Sequence, residues 1–153
     1  MKKIASGDGW FEIQMSAEER ASLLHGLKFT LKNFDAFDRI ELVDERFVKK
    51  DIRVLTEKTK PVKDGFVSRM DMDEFVSISQ TLWSMLATIR ANQIDVAKLD
   101  SALDVKKLES AKKAFDEVMP DNERAVELYP KERRKHILEH QAIWGNANGK
   151  NSP

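Results

Sequence analysis

The sequence predicts an α+β fold, predominantly helical, with a small antiparallel sheet. Three observations predict it. Residues 10–15 alternate apolar and polar side chains as a half-buried strand does. Two helix starts carry a capping residue with Glu three positions on. Apolar residues then recur at helical spacing through much of the chain.

In the first strand, Phe11, Ile13 and Met15 are expected to face inward. Ser16 follows at once, with Glu19 in place to complete a capping box, in which each side chain satisfies an orphan backbone N–H. The helix is predicted over 16–33, with Leu24, Leu27, Leu31 and Phe34 on its core stripe and Leu23 widening it. Phe37, Ile40, Val43 and Phe47 fit a second helix over 37–48. Ile52, Val54 and Thr56 alternate with charged or polar residues, apart from Leu55, which predicts a strand over 51–58. Pro61 ends that strand or confines it to an edge. Asp64-Gly65 is a turn signal, because this pair tolerates the positive φ of tight hairpins. A strand over 65–70 resumes after it.

Asp71 with Glu74 caps the next helix, 71–90, whose wide apolar face includes Phe75, Ile78, Leu82 and Ile89. It is the expected central helix of the core. Residues 92–101 show no strong pattern. Asp104 caps a helix over 104–118 with Val105, Leu108, Ala111, Phe115 and Val118 on one face. Pro120 breaks it, and a short helix through Ala125 and Leu128 follows. Pro130 suits the first turn of a last helix, 131–144. Residues 1–144 are read as one domain and 145–153 as a flexible tail.

The two capped starts resemble each other. Phe11, Met15, Glu19, Ser22, Leu27 and Leu31 align without gaps on Phe66, Met70, Glu74, Ser77, Leu82 and Leu86. This reads as two strand-cap-helix units of one design, from duplication or from the shared grammar of strand-to-helix junctions.

Composition excludes several classes. The chain has 153 residues, no Cys, and 26 basic against 26 acidic residues. Disulfides, thiol catalysis and Cys-ligated zinc are out. Zero net charge gives no global field toward nucleic acid or an anionic membrane, and little repulsion between copies. The stretch after Met1-Lys2-Lys3 lacks a secretory apolar core, and no apolar run reaches membrane-span length. A cytoplasmic protein is expected, with a size and opening that suit a prokaryotic or phage gene.

No motif reaches catalytic strength, and no catalytic, cofactor or metal residue is assigned. His136-Ile137-Leu138-Glu139-His140 matches the H-x-x-E-H spacing of inverse zinc peptidases. The further acidic ligand that such a site needs downstream is missing from the short Gly/Asn-rich tail. Asp71, Asp73 and Glu74 fail the calcium-loop pattern and are explained as helix N-terminal acids. The densest basic run is Lys131, Arg133, Arg134, Lys135 and His136. With His140 and Trp144, Arg133 to His136 make the candidate interaction surface. The expected function is a non-enzymatic protein-interaction module: an inhibitor, immunity-type or adaptor protein, with another protein or a second copy as partner. The alternative is a nucleic-acid-binding regulator using the last helix. A metal-dependent hydrolase built on His136 and His140 is the remote one.

Overall fold

A computed structural model of the chain describes residues 1–37, 44–119 and 125–139. The chain opens with a β-hairpin, Lys2–Gly7 (β1) and Trp10–Met15 (β2). Three helices follow: Ala17–Lys32 (α1), Phe34–Phe37 (α2) and Glu45–Thr56 (α3). A second hairpin pairs Thr59–Val62 (β3) with Gly65–Met70 (β4). Helices Met72–Arg90 (α4), Val96–Leu99 (α5) and Val105–Glu117 (α6) come next. A single 3-10 turn spans Val126–Leu128, and the last helix covers 131–139 (α7). The α+β class, predominantly helical with a small antiparallel sheet, is therefore as expected. No helix among the described residues is long and apolar enough to cross a membrane.

Several boundaries need correction. The expected strand over 51–58 is the C-terminal half of α3, and the strand begins only at Thr59. Asp44 accepts from the Arg46 N–H and starts that helix. Its inward residues Val48, Val54 and Leu55 have helical spacing; the apparent alternation of Ile52, Val54 and Thr56 was incidental. The expected helix 37–48 is thus two pieces, α2 and the start of α3, with 38–43 outside the described residues. β1 was not anticipated. It is an edge strand with mostly exposed residues, so it has no apolar face to betray it. Its Asp8-Gly9 turn, with Gly9 at φ +80°, is a hairpin signal of the same kind as the one used further along. Of the expected helix 131–144 and tail 145–153, residues 140–153 lie outside the described residues.

The sheet order is β1-β2-β4-β3, antiparallel throughout. The two hairpins meet through β2 and β4. Phe11 pairs with Met70, Ile13 with Ser68 and Met15 with Phe66, so the pairing is centred on Ile13 and Ser68. That register is symmetric under the gapless alignment that places Phe11 on Phe66. The likeness also extends past the capped junctions. Each half of the chain runs strand, strand, long helix, short helix, helix: β1-β2-α1-α2-α3, then β3-β4-α4-α5-α6. α3 and α6 each start from an Asp cap, and each packs against both α1 and α4.

Both capping boxes form. Ser16 Oγ accepts from the Glu19 N–H at 3.0 Å and Glu19 accepts from the Ser16 N–H at 2.9 Å. Asp71 and Glu74 exchange the same bonds at 2.9 and 3.0 Å. The inward residues of β2 join Leu23 and Leu27 of α1, Phe75, Ile78 and Leu82 of α4, and Leu108 and Phe115 of α6 in one core.

Gly65 opens β4 at φ +139°, and a Cβ there would overlap the Met15 carbonyl oxygen on the neighbouring strand. Only glycine adopts this backbone region readily. Gly65→Ala is expected to destabilise the fold by about 2–4 kcal/mol, read by urea denaturation. A loss under about 0.5 kcal/mol, the range of neutral surface changes, would contradict the strained close approach.

Candidate functional site

α3 turns one carboxylate into the protein. Val48, Asp51 and Leu55 share one helical stripe, so Asp51 sits where an apolar residue is expected. It is 1 % exposed. Its Oδ2 accepts from the Thr81 Oγ1–H of α4 at 2.8 Å, and the Ser77 hydroxyl also faces it. Among the described residues no Lys, Arg or His makes an ion pair with Asp51. Burial pushes its pKa from 3.8 up to about 7; the two hydroxyls pull the other way, Glu74 adds to the rise and Lys50 opposes it.

Asp51 lines the floor of a cleft of about 730 Å³ between α3, α4 and the start of α7. Three other acids line it, and each already has partners. Asp71 accepts from the Glu74 N–H in the capping box. Burial, aided by the Glu74 charge, holds its carboxyl above the ordinary range. Glu74 takes the Lys58 ammonium at 2.5 Å. Asp73 takes the Arg133 guanidinium at 3.2 and 3.3 Å. Glu74 and Asp73 thus have counter-charges, whereas Asp51 and Asp71 have none among the described residues, and Asp51 is the more deeply buried of the two.

Large apolar side chains flank the opening. Phe47 lines it from α3 and is 52 % exposed. Val76 and Gln80 line it from α4, and Trp83 continues their stripe one turn further on. Trp83 is 54 % exposed.

The repeated architecture supplies an internal comparison. Counted from the Asp caps, Val48, Asp51 and Leu55 of α3 correspond to Leu108, Ala111 and Phe115 of α6, all of them buried. A smaller cleft of about 320 Å³ lies between α1 and α6, lined by Ser16, Glu19 and Ser22 from α1 and by Ala111. These three align with Asp71, Glu74 and Ser77 at the first cleft. The scaffold thus accommodates alanine at the place where α3 carries Asp51.

Most of the expected interaction surface lies on α7. Arg133 pairs with Asp73, and Arg134 pairs with Asp8 at 2.5 Å while donating to the Tyr129 and Glu127 carbonyls at 2.9 Å. The Arg134 guanidinium holds the Asp8 carboxyl below its ordinary range, and Lys131 adds to this. These two arginines tie α7 to the body. Lys135 and His136 are exposed, with His136 Nδ1 at 3.9 Å from Glu139. His140 and Trp144 lie outside the described residues. Among the described residues no group of three or more His, Asp or Glu comes together to hold a metal ion. His25 Nε2 meets the Asp100 carboxylate at 2.7 Å, linking α1 to the end of α5.

The Asp51 cleft was not found from the sequence. Its signal was present: a lone acid on the Val48–Leu55 stripe, visible only once 45–56 is read as helix. Comparison with protein-family models, with curated proteins and with solved structures returned no match to this chain.

Proposed function

We propose that this protein is a non-enzymatic protein-interaction module whose binding face is formed by α3 and α4 around the Asp51 cleft. The observation that carries this reading is the half-exposed Phe47 lining a concave acidic surface, with a second half-exposed aromatic, Trp83, one turn along α4 from the cleft-lining Gln80. Aromatic anchors beside a pocket are the usual centre of a protein–protein contact, and large exposed apolar side chains gathered on one face favour a partner. Inhibitor, immunity-type and adaptor roles all use such a face. The partner is another protein or a second copy of this chain, and a cytoplasmic setting fits the Cys-free composition.

A nucleic-acid-binding role for α7 draws less support. Lys131, Arg133 and Arg134, three of the five residues of the basic run, are already engaged by Asp8 and Asp73.

The test replaces both anchors. Phe47→Ser with Trp83→Ser removes two exposed aromatic groups and is expected to leave thermal unfolding nearly unchanged. Hot-spot aromatics contribute about 2 kcal/mol or more each. Capture of the partner from lysate of the native cells, quantified by mass spectrometry, should fall at least about 30-fold. Self-association, read by sedimentation, should fall likewise if the partner is a second copy. Undiminished capture and self-association would overturn the reading.

A further inference from the structure

We infer that the Asp51 cleft is a receptor for a primary ammonium group, the ε-amino end of a lysine that the partner presents past Phe47. The inference rests on the binding face proposed above and names the chemistry at its centre.

A carboxylate buried to 1 % exposure is unfavourable unless a charge or several hydrogen bonds compensate it. Here compensation is incomplete. Thr81 donates to Oδ2 and the Ser77 hydroxyl also acts on the carboxyl group, but among the described residues no cation pairs with it. Asp73 and Glu74 have cation partners and Asp71 accepts a backbone N–H as the α4 cap, so among the described residues Asp51 is the fully buried acid of the cleft with neither a counter-charge nor a backbone donor. The fold does not require the acid either, since Ala111 holds the matching place at the matching cleft. A buried, unpaired acid that the scaffold does not need, open to a cleft, is suited to an incoming cation.

The local donors and acceptors choose which cation. A guanidinium fork is best matched by a carboxylate with both oxygens available. Thr81 already occupies one. A compact ammonium needs only one carboxylate oxygen, with hydroxyl oxygens completing its three donors. Ser77 and Thr81 stand beside Asp51 in that role. Asp71, Asp73 and Glu74 add negative potential from α4 and its cap, while Lys50 of α3 and Arg133 of α7 oppose it at the rim. The aliphatic stem of a lysine would pass Phe47, Val54 and Val76, which suits its apolar character.

The probe is Nα-acetyl-L-lysine amide, which carries the side-chain ammonium as its only charge. The control is Nα,Nε-diacetyl-L-lysine amide, which is neutral. Both are titrated into the full chain while backbone amide shifts of Asp51, Ser77 and Thr81 are followed by NMR. The lysine probe should give saturable shifts at these amides and the control none. Asp51→Asn, which keeps the Thr81 bond, should weaken the probe at least tenfold. With Asp51 titrating at about 7, affinity should fall about tenfold between pH 8 and pH 6, as the ionised fraction falls. Equal shifts from probe and control, or equal affinity in Asp51→Asn, overturn the ammonium site.

Partner capture separates this inference from the broader one. Loss of capture in both Asp51→Asn and the Phe47/Trp83 variant supports both. Undiminished capture by Asp51→Asn, with loss in the aromatic variant, overturns the ammonium site and leaves the face standing. Undiminished capture by the aromatic variant overturns the face itself.

Discussion

Phe75→Ala is expected to lose about 3–5 kcal/mol of folding stability, the range for emptying a large aromatic site in a packed core. Phe75 is fully buried on the first turn of α4. Its ring lies 5.7 Å from Phe11 of β2 in a tilted contact and 4.4 Å from Phe115 of α6 in a stacked one. One side chain therefore joins the sheet, the central helix and the last helix of the second repeat. Such aromatic pairs add about 0.5–1.5 kcal/mol each beyond the area they bury. For a chain of this length the loss corresponds to a fall in Tm of roughly 6–20 °C. Phe75→Leu retains most of the volume and should lose much less. Urea denaturation of the two variants checks this. A loss under about 1 kcal/mol for Phe75→Ala would show that the rings do not form the junction described.

That junction was partly legible in the sequence. Phe11 and Phe75 were assigned to buried faces because each sits beside a capping box, where strand or helix periodicity is anchored by a fixed start. The capping boxes themselves are local: four consecutive residues determine them, and both form as read. β1 was hidden for the opposite reason. An exposed edge strand buries little, so its residues carry no alternation, and only the Asp8-Gly9 turn marked it. α3 was misread because its inward stripe contains a charge. With Asp51 breaking the apolar spacing, Ile52, Val54 and Thr56 looked like a strand. The residue that obscured the helix is the one at the centre of the cleft. The α7 basic run was plain in the sequence, but its pairing with Asp8 and Asp73 joins residues distant along the chain, which no local pattern reveals.

Asp51→Asn is expected to stabilise the protein at alkaline pH and to leave it nearly unchanged in acid. The folded state raises the Asp51 pKa from 3.8 to about 7. Below the lower value the carboxyl is protonated in both states. Between the two, the folded protein retains a proton that the unfolded chain has released, so stability declines as pH rises through this window. Above about 7 the group is ionised in both states and its unfavourable contribution is complete. A gap of this size corresponds to on the order of 2–4 kcal/mol. Asparagine keeps the acceptor for Thr81 and carries no charge. The stability difference between Asp51→Asn and the parent should thus be near zero at about pH 3 and reach that magnitude by about pH 8, measured by urea denaturation at each pH. Every other titrating group is common to both proteins and cancels in the difference. A stabilising substitution at a pocket that loses its ligand is the pattern of a residue kept for binding at the expense of the fold.

The central claim is that Asp51 is a buried carboxyl without a counter-charge of its own, held for a cation that comes from outside. Following the Asp51 side-chain carboxyl by carbon-detected NMR across pH 3–9, without and then with Nα-acetyl-L-lysine amide, tests it most directly. The account predicts a midpoint of about 7 in the free protein, moving to lower pH as the ammonium probe is added. A midpoint near 4 in the free protein, unmoved by the probe, would mean that Asp51 is already compensated and would contradict the claim.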